Sequence, residues 1–148
     1  MLRALSVSAG FCLALVACGG DAVPTPAAIV ELSLDDDAGS PNILAIYDQT
    51  GLVAGARFLP NFDHIEALTV TQGADETIID VAWVGLGCES RPTLSITSHA
   101  SGVQVTLDHG PRPDSCAAMA ENYGVQVELS EPVPLSEIEA AETGQLDS

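Results

Sequence analysis

Val125-Gln126-Val127-Glu128-Leu129 sets an apolar side chain at every second position and a polar one between. Successive side chains of a strand point to opposite faces, so such a stretch turns one face to a core and the other to water. The same period recurs on both sides of it. Val103, Val105 and Leu107 alternate with Gln104 and Thr106. Leu94 and Ile96 alternate with Ser95 and Thr97, and Ile79, Val81 and Trp83 share a face opposite Asp80 and Ala82. Further upstream, Leu68 and Val70 alternate with threonines, and Val30, Leu32 and Leu34 with Glu31 and Ser33. No comparable run carries a helical period, so the fold class is all-β.

Turn residues fall between the runs. Gln72-Gly73-Ala74-Asp75, His99-Ala100-Ser101-Gly102 and Gly110-Pro111-Arg112-Pro113-Asp114 read as turns. Ile43–Tyr47 and Leu52–Phe58 flank Asp48-Gln49-Thr50-Gly51, which predicts a hairpin with a glycine at the positive-φ position. About eight short strands at roughly ten-residue spacing predict an antiparallel β-sandwich. Helical signals are confined to Cys116–Asn122 and to Ser136-Glu137-Ile138-Glu139, where Ser136 and Glu139 have capping-box spacing. A frayed acidic tail is the preferred reading of residues 136–148, with a short C-terminal helix as the alternative.

The chain has 148 residues, 47% of them hydrophobic, which suffices for one buried core. Four basic residues, all arginine, face 21 acidic ones, for a net charge of −17. Without lysine there is no phosphate-loop or Schiff-base lysine, and no basic surface for nucleic acid. A surface this acidic keeps a protein soluble and repels anionic lipid; it also suits docking of a basic protein.

The start reads as an address. Arg3 precedes an apolar run from Ala4 to Ala17 that is too short to span a bilayer. Leu15-Val16-Ala17-Cys18 resembles the lipobox of bacterial lipoproteins. That resemblance implies a signal peptide over residues 1–17, cleavage before Cys18 and acylation of Cys18, so that the partner of the mature chain is the membrane. Gly19 replaces the aspartate that often retains such proteins at the inner membrane, which favours the outer membrane where the cell has one. Residues 18–28 read as a tether and 29–135 as the β-sandwich domain.

Cys88 and Cys116 remain downstream. Outside the cytoplasm an even pair is most simply a disulfide, worth about 3.5 kcal/mol for this loop length. The alternative is a zinc site completed by His99 and His109, although no C-x-x-C or H-x-x-x-H spacing gathers the four. Three segments taken in order also resemble a family of small exported bacterial β-domains, many of them lipoproteins. They are Ile46-Tyr47-Asp48-x-x-Gly51-Leu52-Val53, Ala82-Trp83-x-Gly85-x-Gly87-Cys88 and Gly110-Pro111-Arg112-Pro113-x-x-Cys116-Ala117. Tyr123-Gly124-Val125-x-Val127-x-Leu129-x-x-Pro132-Val133 follows them. The resemblance implies a disulfide-stapled sandwich and carries no catalytic residue.

Few residues invite chemistry. No G-x-S-x-G or H-E-x-x-H segment is present, so the reading is non-enzymatic, with a small hydrolase as a distant alternative. His99 and His109 read as exposed loop histidines. Asp35, Asp37 and Asn42 could offer oxygens to Ca²⁺ as the one candidate cofactor, but the stretch lacks the glutamate of an EF-hand loop, and a solvated turn is the preferred reading. Arg112 sits on a proline-braced loop where it could grip a carboxylate or phosphate, or pair with Asp108 or Asp114. The function these features imply is a binding or structural module of the cell envelope with a protein partner. A domain for Ca²⁺ or a small molecule is the alternative.

Overall fold

The computed structural model of the chain describes residues 26–34, 41–60, 65–86, 91–111, 114–115 and 120–144. Among them nine strands form two sheets. The strands are β1 (Ala28–Ser33), β2 (Asn42–Asp48), β3 (Val53–Phe58), β4 (Thr69–Gln72), β5 (Ile78–Leu86), β6 (Thr93–His99), β7 (Gly102–Asp108), β8 (Ala120–Leu129) and β9 (Ile138–Thr143). One sheet runs β2-β1-β6-β7-β9 and the other β3-β8-β5-β4. The architecture is the all-β sandwich that the alternation predicts, with one more strand than expected.

The core is the set of alternating residues. Val30 and Leu32 of β1, Leu94 and Ile96 of β6, and Val105 and Leu107 of β7 are buried from the first sheet. Ile79, Val81 and Trp83 of β5, with Tyr123, Val125, Val127 and Leu129 of β8, meet them from the second. Each such side chain contributes about 1.5–3 kcal/mol by leaving water, which explains why the period is kept so strictly. Trp83 stacks on Tyr123 with ring centroids 5.9 Å apart. The longest ladder, Ile78–Leu86 against Ala120–Glu128, takes up Ala120–Asn122, so the helical reading of those three residues gives way to strand.

Two expectations are corrected. The first concerns the corner at Asp48. Ile43–Tyr47 and Leu52–Phe58 do not pair with each other; β2 pairs with β1 and β3 with β8, in different sheets. Each strand is taken by a partner in its own sheet, and the Asp48 carboxylate shapes the corner between them. It accepts hydrogen bonds from Thr50 N (2.8 Å), Thr50 Oγ1 (2.6 Å), Gly51 N (3.0 Å) and Val53 N (2.7 Å). These bonds hold the chain in a corner that swings it across the sandwich instead of folding it back. Gly51 has the expected positive φ, 71°.

The second concerns the C-terminal stretch. Leu135–Glu137 is a 3₁₀ turn with no side-chain cap, and Ser136 lies inside it. From Ile138 the chain is neither helix nor tail but β9, running parallel to β7 from Val103↔Ile138 to Asp108↔Thr143. The free edge of β7 supplies backbone donors and acceptors that a strand satisfies and a frayed tail does not. Ile138 packs against the core, while Glu139 and Glu142 stay exposed.

Candidate functional site

Of the residues singled out from sequence, Cys18, Asp35, Asp37, Cys88, Arg112 and Cys116 lie outside the described residues. Asn42 is the exposed first residue of β2, opposite Ser33. Among the described residues no three histidine, cysteine or acidic side chains gather as metal ligands. His99 is exposed, as expected, with Nδ1 3.0 Å from Ser101 Oγ. His109 is not an exposed loop histidine. It is 2% exposed at the end of β7, and its Nε2 lies 2.8 Å from Glu142 Oε1 of β9. The strand β7 separates the two histidines by roughly 20 Å at the rise of a strand, too far for one shared metal.

Two surfaces stand out instead. The first is the edge of β2 that no other strand pairs among the described residues. Four large hydrophobic residues are exposed among the described residues, and three of them, Leu44, Ile46 and Tyr47, lie on this strand. Native sheets protect their edges with charge, shortness or bulges. β9 carries Glu139 and Glu142, β3 carries Arg57, and β4 has four residues. β2 runs from Asn42 to Tyr47 without a charged residue, with Asp48 closing it. A bulge at Leu44 shifts the register against β1 and leaves that side chain outside. Glu31 faces Ala45 across the ladder, and in sequence Asp35-Asp36-Asp37 precede the strand.

The second surface is the outer face of the four-stranded sheet. Register aligns Arg57 of β3, Gln126 of β8 and Asp80 of β5 in one row. Arg57 Nε donates to Gln126 Oε1 (2.9 Å), and Gln126 Nε2 donates to Asp80 Oδ1 (2.7 Å). The neighbouring row is Gly55, Glu128 and Ile78. Between the two rows lies a shallow depression of about 210 Å³, lined by Gly55, Ala56, Arg57, Ile78, Gln126 and Glu128. Arg112 drew attention in the sequence because prolines flank it. Arg57 has no such flag, and only the pairing of three strands brings it to its partners.

Fold and surfaces together define a small all-β sandwich with an open apolar edge and an arginine-centred depression. No family model matches the chain, and no curated protein or solved structure matches it either.

Proposed function

We propose that the chain is a non-enzymatic binding module of the cell envelope, held on the outside of a membrane by lipid on Cys18, and that it takes its protein partner along β2. The partner is an extended segment with apolar and basic residues in alternation, added as a further strand. The observation that carries this reading is the gathering of Leu44, Ile46 and Tyr47 on one edge strand that carries no charge before Asp48. Charge selects the partner: the molecule carries −17, and acids adjoin the strand in register and in sequence, so a basic segment is attracted where an acidic one is repelled. The lipobox residues Leu15-Val16-Ala17-Cys18 support the anchor, and the even pair Cys88 and Cys116 fits an oxidising compartment. Gly19 favours the outer membrane where there is one.

A seven-residue peptide alternating valine and lysine is the probe. In an NMR titration it should shift and protect the amides of Ile43–Tyr47, and Ile46→Lys should abolish the effect. A peptide alternating valine and glutamate should leave those amides unmoved. Equal binding of both peptides, or shifts confined to β9, would refute the reading. A doubled mass in sedimentation that Ile46→Lys reverses would assign the edge to a second copy of the chain instead.

A further inference from the structure

We propose that the depression beside Arg57 is a binding site for a small zwitterion, with a carboxylate on Arg57 and an ammonium group on Glu128. The inference is independent of docking along β2, which lies in the other sheet. The argument begins with the orientation of Gln126. An ionised carboxylate only accepts, so Asp80 must receive the amide NH₂ of Gln126. The amide oxygen then faces β3 and takes Arg57 Nε. Holding the guanidinium through Nε fixes its plane and leaves the edge formed by its two terminal nitrogens for a ligand. No hydrogen bond or ion pair engages those two nitrogens among the described residues. That edge matches a carboxylate with two parallel hydrogen bonds.

Charge then decides between classes of ligand. Arg57 contributes one positive charge, and Asp80 and Glu128 one negative charge each. A phosphate would sit beside two carboxylates on a molecule of net charge −17. A ligand that brings its own cation to Glu128 meets no such repulsion. Shape agrees with charge. Gly55 stands across from Glu128, and a Cβ there would come to 3.8 Å from Glu128 Oε2, so the missing side chain leaves the room between the two charged groups. Ile78 supplies an apolar wall for the carbon skeleton that joins the ligand's two ends. A volume of about 210 Å³ is below the roughly 300 Å³ at which drug-sized pockets begin, which points to a ligand the size of an amino acid.

The test titrates the folded chain with L-leucine, N-acetyl-leucine, leucinamide and inorganic phosphate, following the amides of Gly55–Arg57 and Gln126–Glu128. Leucine should move them, and each blocked form should bind about tenfold more weakly, as expected for loss of one charge-assisted contact. Arg57→Gln should abolish leucine binding. Glu128→Gln should weaken leucine but spare N-acetyl-leucine. Gly55→Val, which fills the depression while leaving both charged groups in place, should also abolish binding while leaving the spectrum of the core intact. N-acetyl-leucine or phosphate binding as tightly as leucine would make this a plain anion site and overturn the proposal. So would leucinamide binding as well as leucine, or no movement of these amides at tens of millimolar leucine. Ile46→Lys should change none of these results, so failure here and failure along β2 are distinguishable.

Discussion

At the scale of single residues, Asp48 ties its corner together by accepting four hydrogen bonds. Burial pushes its carboxyl up, but the hydrogen bonds from the Thr50 hydroxyl and from the amides of Val53, Thr50 and Gly51 together pull it below its ordinary value of 3.8. A carboxylate held lower in the folded chain than in the unfolded one contributes stability that is complete above the unfolded value and is lost as pH falls through the folded one. Asp48→Asn separates the parts of this effect. The amide oxygen can still accept from Thr50 and Gly51, but the amide nitrogen cannot accept from Val53 N. Leaving that donor without an acceptor should cost about 1 kcal/mol near neutral pH, at the low end for such a loss because the corner lies close to solvent. The gap between the two proteins should begin to narrow as pH falls below 3.8 and should close only below the lower folded value, where the wild-type carboxyl is itself protonated. Urea midpoints across pH 2–7 check this, and a gap that widens in acid would contradict the assigned role. Asp75 is lowered in the same way, first by the Thr77 hydroxyl, so the wild type should keep some acid sensitivity even without Asp48. The turn at Asp48 was legible in the sequence, down to the positive φ of Gly51. Its role as a crossing between sheets was not. A tight hairpin and a corner use the same local residues, and only the competing partners, β1 for one strand and β8 for the other, decide between them.

At the scale of elements, β9 depends on one glycine. Gly102 opens β7 with φ 143°, and a Cβ there would lie 1.9 Å from the carbonyl oxygen of Glu137. The 3₁₀ turn before β9 therefore rests directly on the backbone of residue 102. Gly102→Ala should push that turn away and unseat the start of β9, at a cost of about 1–3 kcal/mol or more, as for overpacking elsewhere. Hydrogen exchange would show the effect as faster exchange in Ile138–Thr143, with the β5–β8 ladder little changed. Uniform loss of protection in every strand would mean instead that β9 and the sandwich unfold as one unit. All six alternating runs fall on strands, and five were plain because their inward residues are large: Val125, Val127 and Leu129 leave no choice of face. Leu68, just before the short edge strand β4, and Val70, within it, stay half-buried and say less. β9 was illegible for a related reason. Ile138 is its one large apolar residue, and the alanines and glutamates after it favour neither strand nor helix by pattern alone. What makes it a strand is the free edge of β7 and the pair between His109 and Glu142, which lie 33 positions apart. A still longer separation in sequence, 69 positions to Gln126, hid Arg57. Its partners Gln126 and Asp80 come from two other strands, and no local spacing could announce them.

At the scale of the whole molecule, charge and anchor bear on one another. A polybasic protein that loses one lipid still clings to anionic membranes through its surface, and stable attachment commonly uses two such signals. This chain has no second signal of that kind. All 21 acidic residues and only three arginines lie in residues 18–148, so the net charge of the body is repelled by an anionic bilayer. Among the described residues no helix is long and apolar enough to cross a membrane. Attachment through Cys18 should therefore be all or none. Cys18→Ser should move the chain wholly to the soluble fraction, at low salt as at high, with an unchanged unfolding midpoint, because Cys18 precedes β1 by ten positions in sequence. The intact mass of the wild-type protein from its own membranes should match residues 18–148 plus acyl chains, and should gain two hydrogen atoms on reduction if Cys88 and Cys116 are joined. Retention of the serine variant on membranes that salt removes would point to a bound basic partner bridging the acidic surface to lipid. Retention that salt does not remove would end the lipid-anchor reading, and an unchanged mass on reduction would end the disulfide one.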